Sequence, residues 1–381
     1  MVPAFDPAAP SSAGPAAPSS PGLADPEVDL LPDVPISGPA DDLFARAPVA
    51  RRLVELALAT PVAQPRVVAL VGQGGAGKSS LLRLVASLLA DRAEVAVVHL
   101  DAAAVPGAAA LWTALAEQLT ALFAAAGAVD MSDAVRDRVA GYGSVVSGLA
   151  KIAGVKVDVG DALRRTPEQV RAELIEMTQE VGKRVVVVLD HLDRLPTAEL
   201  RPALELLRRC AEIPYLAVVL AFDRQAVARR LNEAGADPAA LARAIEVELA
   251  LPPVERTLLA RLVAGGAARV LARLGRELDP VIELFDPDGG VLVGLLSTAR
   301  DGKRAYNAIA AAAPLLPTGP ALGPALVELV LRLMVPELDG PDFDPRAGDR
   351  ARRQAALTAR MADHPRAVAI AAALRVVFEA A

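Results

Sequence analysis

One cysteine, Cys210, occurs in the 381 residues, and a single thiol excludes an internal disulfide. It sits in an apolar helical pattern and reads as inert packing. Histidine is nearly as scarce: His99, His191 and His364 are scattered and make no metal-ligand spacing. Excess positive charge is missing, since the formal net charge is −6, which argues against nucleic-acid binding through the whole surface. No basic segment precedes an apolar run at the N-terminus, so no secretory leader is read there and a cytoplasmic location is expected. Unbroken apolar spans are lacking too. Residues 102–129 carry one charge, Glu117, yet Leu111, Leu115, Leu119 and Leu122, with Thr113 and Gln118, read as one face of an alanine-rich soluble helix. Residues 305–327 hold Pro314, Pro317, Pro320 and Pro324, and a helix broken that often makes a poor membrane span. No integral membrane segment is expected, while peripheral membrane contact stays open. No internal repeat is apparent.

What is present is a phosphate loop. Residues 72–79 read Gly-Gln-Gly-Gly-Ala-Gly-Lys-Ser, a full match to G-x-x-x-x-G-K-[ST]. The run Arg66–Val71 before it reads as a buried strand, and Ser79–Leu89 after it reads as a helix with Leu81, Leu82, Leu84 and Leu88 apolar. Strand, loop and helix are the context the motif requires. Gly72, Gln73, Gly74, Gly75, Ala76 and Gly77 would turn backbone N–H groups around the phosphates of ATP, with Ser80 beside them at the helix start. Lys78 would reach the β- and γ-phosphates, and the Ser79 hydroxyl would ligate Mg²⁺. Lysine is scarce beside arginine here, so Lys78 is hard to attribute to composition.

Residues 1–40 are Pro, Ala, Ser and Gly with a few acids and neither Lys nor Arg, the composition of a flexible acidic tail. The folded part opens at Asp41 with a helix to about Ala59. Strands then alternate with helices: Arg66–Val71, Glu94–Leu100, Arg184–Asp190, Tyr215–Phe222 and Ile245–Leu251. Continuous Val/Leu runs such as Val185–Leu189 imply burial on both faces, hence a parallel sheet covered by helices. Residues 141–160 are irregular, with Val155, Val157 and Val159 alternating like a short strand. Pro252-Pro253 ends the sheet. The expected division is a tail at 1–40, a P-loop domain at 41–253 and an all-helical unit at 254–381.

Val185–Asp190 is an apolar strand ending in an acid. Asp190 would face the phosphate loop and hold Mg²⁺ beside Ser79. Four residues further lies Arg194, and between them Asp193 is the first candidate for the base that polarises the attacking water, with His191 the alternative. An N-cap or a pair with Arg194 is the structural reading of Asp193. The strand Tyr215–Phe222 runs into Asp223, which fits a sensor of the γ-phosphate or a helix cap. In the helical unit Thr298–Asn307 carries Arg300, Lys303 and Arg304. Arg300 is the expected cation to reach the nucleotide, against a solvated helix start.

These pieces together resemble the KAP family of P-loop NTPases: Asp190-His191-Leu192-Asp193-Arg194, Leu220–Arg224, the Pro-bounded fifth strand, and Arg300-Asp301-x-Lys303-Arg304-x-x-Asn307. The resemblance spans about residues 41–340. It implies ATP binding and hydrolysis, a parallel sheet ordered 5-1-4-3-2, and often a role at membranes or in defence against phage. Members often carry an acid where this chain has His191, and many insert membrane helices where residues 102–183 are too polar. After the second strand the family tends to have Asn and Trp, whereas here Asp101 ends the strand and Trp112 lies further on.

The function expected is a nucleotide-driven switch acting on a protein partner or through self-association. The alternatives are a DNA-associated initiator or loader ATPase and a hydrolysis-impaired ATP-binding scaffold. The DNA reading needs a basic surface, and the candidate is Arg346, Arg350, Arg352, Arg353 and Arg360, which Asp349 and Asp363 make read as a solvated face.

Overall fold

The computed structural model describes residues 30–59, 61, 63–125, 175, 179, 183–237, 239–340, 343–345 and 348–380. The irregular stretch at 141–160, the first 29 residues and Arg346 lie outside the described residues.

Five strands form one parallel sheet: β1 (Arg66–Val71), β2 (Val95–Asp101), β3 (Arg184–Asp190), β4 (Leu216–Phe222) and β5 (Val247–Ala250). Their spatial order is β2-β3-β4-β1-β5, the expected order read from the opposite edge. Every pairing is parallel, with Val68 opposite Val219, Val187 opposite Val218 and Asp101 opposite Asp190. The strands are nearly all Val, Leu and Ala because both faces are covered, and the period-2 alternation sorts them into two cores. Val67, Ala69, Val185, Val187, Leu189, Val218 and Leu220 share a core with Trp112 of α3 (Ala108–Ala125) and Leu200 and Leu204 of α4 (Thr197–Cys210). Val68, Leu70, Val186, Val188 and Val219 share the opposite core with Leu53 of α1 (Ala47–Ala57) and Leu81, Val85 and Leu89 of α2 (Lys78–Ala90). Each fully buried Val or Leu contributes about 1.5–3 kcal/mol against exposure. That layered burial fixes where each strand ends.

The strand ends position the site. β1 runs into the phosphate loop, while β2, β3 and β4 run out at Asp101, Asp190 and Asp223. All lie at one edge, because the strands are parallel, and such an edge is where open α/β sheets bind ligands. After β4 come α5 (Arg224–Glu233) and α6 (Ala239–Ala244), then β5.

Past β5 the chain is helical: α7 (Arg256–Arg273), α8 (Val291–Gly294), α9 (Ala299–Ala312), α10 (Leu322–Met334), α11 (Arg350–Arg360) and α12 (Ala367–Ala380). They enclose a third core that includes Leu259, Val263, Ile309, Leu326, Leu331 and Phe378. Helix α9 starts with a capping box: Asp301 N–H donates to Thr298 Oγ1 at 3.1 Å and Thr298 N–H returns to Asp301 Oδ2 at 3.1 Å. Arg366 Nη2 also holds Asp301 at 3.1 Å, so Asp301 of the arginine-lysine segment sets the helix start.

Residues 30–40 depart from the flexible tail expected over 1–40 and are placed against the rest of the chain. Leu31 exchanges two hydrogen bonds with Asn307, both 2.8 Å, and Ile36 packs against the core of α1 and α2. The cause is polar: backbone groups of a Pro-rich segment meet side chains of α9 and α2, and hydropathy patterning does not register such contacts.

Candidate functional site

The loop between β1 and α2 uses its glycines for backbone shape at two positions. Gly75 has φ +79° and Gly77 has φ +100°, a region where a side chain clashes with its own backbone. A Cβ on Gly75 would also lie 2.9 Å from Arg300 Cβ. Lys78 opens α2 and is 9% exposed. Its Nζ donates to Gly72 O at 2.8 Å and Gln73 O at 3.1 Å, which leaves a third N–H for a ligand. Burial lowers the Lys78 pKa, while Asp193, Asp223 and Asp190 pull it back up and Arg300 pushes it down.

Side chains from four elements meet here. Gly74 N–H donates to Asp223 Oδ2 at 3.2 Å, while Asp223 Oδ1 accepts from Gln225 and Ala226 N–H at 3.0 and 3.1 Å. Asp223 therefore caps α5 and touches the loop at once. His191 stands in the left-handed region, φ 59°, ψ 32°, a conformation that costs a non-glycine residue roughly 1–3 kcal/mol. It turns the imidazole back onto the loop. Nδ1 lies 2.9 Å from Asp101 Oδ1, and Nε2 lies 3.3 Å from Ser79 Oγ and 3.7 Å from Asp190 Oδ2. A carboxylate accepts only, so Asp101 fixes the proton on Nδ1. Asp193 sits in the turn Leu192–Arg194 with Oδ1 buried and without a hydrogen-bond partner, and its carbonyl accepts from Arg230 Nη1. Arg300 N–H donates to Gly75 O at 3.2 Å, which seats the start of α9 on the loop.

A cavity of about 300 Å³ opens over this cluster, with Gly74–Ser80, His191, Asp193 and Arg300 in its lining. Gly72, Gln73, Asp190 and Asp223 are not in the lining; Asp190 and Asp223 reach it through His191 and Gly74. Ser80 lines it, but its Oγ accepts from Ile36 N–H at 3.3 Å. The N-terminal segment supplies the other wall, including Phe44 and Arg46. Arg46 is 8% exposed. Its Nη1 donates to Pro252 O at 2.7 Å, and its Nη2 has no hydrogen-bond partner. Burial lowers its pKa, while Asp42 and Glu255 pull it back up.

Sequence reasoning missed Asp101, Arg46 and the N-terminal wall as parts of this site. Asp101 had a legible signal, an acid ending β2 as Asp190 ends β3. Arg46 and the wall had none. Of the other arginines, Arg194 also lines the cavity. Arg208 pairs with Glu205 and Glu212, and Arg350, Arg352 and Arg360 lie exposed on α11.

Hard oxygens from Ser79 and Asp190 suit a magnesium ion, which is commonly held by one or two protein groups with phosphates and water completing the shell. Among the described residues no set of three His, Cys, Asp or Glu makes an all-protein metal cage, and a shared site of this kind does not need one. No helix among the described residues is long and apolar enough to cross a membrane.

A parallel 2-3-4-1-5 sheet with a glycine-rich phosphate loop after β1 and a helical C-terminal unit defines a P-loop NTPase. Residues 46–248, more than half of the chain, match the KAP family P-loop domain. The chain belongs to the KAP family of P-loop NTPases. It is 25% identical over 234 residues to the phage T7 exclusion protein of Escherichia coli (strain K12), covering 53% of this chain and 32% of that protein; it spans about a third of that relative's length. Among solved structures it is similar to Cdc6p from Pyrobaculum aerophilum, at 13% identity and TM-score 0.43 over 88% of this chain and 80% of that one. It is also similar to the Aeropyrum pernix ORC1 protein in complex with DNA, at 18% identity and TM-score 0.42 over 90% and 75%.

Proposed function

We propose that this chain binds Mg-ATP in the cavity at the carboxyl edge of the sheet, hydrolyses it to ADP and phosphate, and works as a nucleotide-driven switch. The observation that carries this is one cavity lined together by the phosphate loop with its buried Lys78, by Asp193 after β3 and by Arg300 of the helical unit. Loop N–H groups and the third Lys78 donor would take the phosphates. Ser79 and Asp190 would hold the cation, which when bound neutralises phosphate charge. Asp193 is the base in this reading. As the water oxygen bonds to the γ-phosphorus and the bond to the ADP oxygen breaks, the proton passes to a carboxylate oxygen. The place of Asp193 in the cavity lining beside the phosphate loop supports that role. The arm bearing Arg300 already rests on the loop, so nucleotide state would be felt by the helical unit. Its output would pass to a protein partner or through self-association, in the cytoplasm. The likeness to the Escherichia coli phage T7 exclusion protein makes phage exclusion the process to test first.

A steady-state hydrolysis assay with a parallel binding measurement tests the reading. The parent should turn over Mg-ATP. Asp193→Asn should keep ATP binding and lose roughly 100-fold or more in kcat. Asp190→Asn should require more magnesium for the same rate, because a neutral amide is a poor partner for a hard cation. Equal rates for parent and Asp193→Asn would move the base to His191. One geometry favours a second reading, a binding scaffold with little turnover: beside Ser79 stands the imidazole of His191, Nε2 3.3 Å from Ser79 Oγ, where relatives often bring an acid. Tight Mg-ATP binding by a parent that hydrolyses nothing above background selects that reading.

A further inference from the structure

The N-terminal segment engages one row of side chains on α9. Asn307 Nδ2 donates to Leu31 O and Asn307 Oδ1 accepts from Leu31 N–H, both at 2.8 Å. One turn earlier, Lys303 Nζ donates to Pro32 O at 3.1 Å. At the helix start, Arg300 Nε meets Asp33 at 3.0 Å to Oδ1 and 2.8 Å to Oδ2. Residues 300, 303 and 307 fall on one face of a helix by their spacing. Each is matched in turn by Asp33, Pro32 and Leu31, so the two segments run antiparallel. The far end of the segment is tied to the other unit: Ile36 N–H donates to Ser80 Oγ at 3.3 Å, and Ile36 O accepts from Arg83 Nη1 at 3.3 Å. Both partners lie on α2, the helix that begins with Lys78.

We infer that Arg300, Lys303 and Asn307 form a binding site for an extended acidic segment, filled here by Leu31–Asp33 of the same chain, and that Asp33 and the terminal phosphate of a nucleotide compete for Arg300. This rests on the nucleotide reading above. The chemistry divides the site in two. The Asn307 amide and the Lys303 ammonium take backbone groups and are indifferent to sequence. Arg300 takes a side-chain carboxylate, so the choice of occupant lies in Asp33. Pro32 and Pro35 fix two φ angles of the segment and lower the entropy cost of ordering it.

Competition follows from position. Arg300 is in the lining of the cavity with the phosphate loop, its N–H bonds Gly75 O, and its Cβ lies 2.9 Å from where a Gly75 Cβ would be. Its guanidinium is now turned to Asp33. That ion pair is weak, because both side chains are well exposed, 42% for Arg300 and 56% for Asp33. A phosphate offers more negative charge and bidentate geometry. A γ-phosphate would draw Arg300 away and loosen the segment, whereas ADP lacks the group that competes.

The experiment uses the full chain and two readouts. Affinities for ATP, in a non-hydrolysed form, and for ADP are measured by calorimetry in the parent, Asp33→Asn, Arg300→Ala and the double variant. Amide hydrogen exchange is followed across residues 31–36. Asp33→Asn should tighten ATP by up to about five-fold, the upper range for an exposed ion pair, and leave ADP unchanged. That gain should vanish when Arg300 is also replaced. ATP, and not ADP, should raise exchange at residues 31–36. An equal gain for both nucleotides, a gain that persists without Arg300, or unchanged exchange with ATP bound would overturn the competition. Failure of the nucleotide reading looks different: the parent then binds neither ATP nor ADP at this loop, and Lys78→Ala matches the parent.

Discussion

At Lys78 burial and charge pull in opposite directions. Desolvation lowers its pKa, and three carboxylates hold the ammonium in place. Those acids are a cost to a bare anion site and an aid to one that also takes a cation, which suits a magnesium-bound phosphate better than free phosphate. At Cys210 burial outweighs a backbone hydrogen bond that acts the other way. Its thiol is pushed from 9.0 up to about 12 by desolvation. The folded state keeps its proton while the unfolded state loses it, so this group's contribution is intact below pH 9 and falls as pH climbs from 9 toward 12. Alkylation of Cys210 at pH 8 should be absent in the folded protein and complete in denaturant; rapid labelling of the native chain would contradict its placement against the sheet. Asp190, Asp193 and Asp223 were legible in sequence because each follows an apolar strand, and a strand's end is fixed by its burial. Asp33 was not legible. Its partner lies 267 residues away, and a short Pro-rich acidic stretch has no period that points to one.

Among the elements, the five strands were legible because both faces are covered and the Val/Leu runs are continuous. The edges differ from expectation at their ends, where β5 is four residues, Val247–Ala250, with Glu246 and Leu251 N–H still donating to Val67 O and Val71 O of β1 at 3.0 and 2.8 Å. The α7–α9 crossing was not legible, because it depends on small residues whose spacing looks like ordinary helix. A Cβ on Gly266 would lie 2.3 Å from the buried Tyr306 ring, whereas one on Gly265 would meet nothing nearer than Arg269 Nη1 at 4.0 Å. Adjacent substitutions should therefore act in opposite directions. Gly266→Ala should destabilise by about 1–3 kcal/mol through overpacking. Gly265→Ala should stabilise by up to ~1 kcal/mol through helix propensity. Urea unfolding monitored by circular dichroism reads both, and equal effects of one sign would mean the two helices do not cross there.

For the whole molecule, the sheet and the helical unit are joined by more than the chain between β5 and α7. Phe44 packs on the helical core while Ile36 packs on the α1–α2 core, and Arg46 ties the start of α1 to Pro252. The segment before α1 thus belongs to the folded part from about residue 30. Removing residues 1–40 should lower the Tm more than removing 1–29, by roughly 2–4 °C for each kcal/mol lost; equal Tm values for the two would return residues 30–40 to the tail. Everything assembled at the carboxyl edge turns on nucleotide binding at Lys78. The direct test is calorimetric titration of Mg-ATP into the parent and into Lys78→Ala, with folding of both checked by their thermal transitions. The account predicts one ATP per chain for the parent and at least ~10-fold weaker binding without the ammonium, the scale of a lost charged hydrogen bond. A folded Lys78→Ala that binds Mg-ATP as tightly as the parent would contradict it.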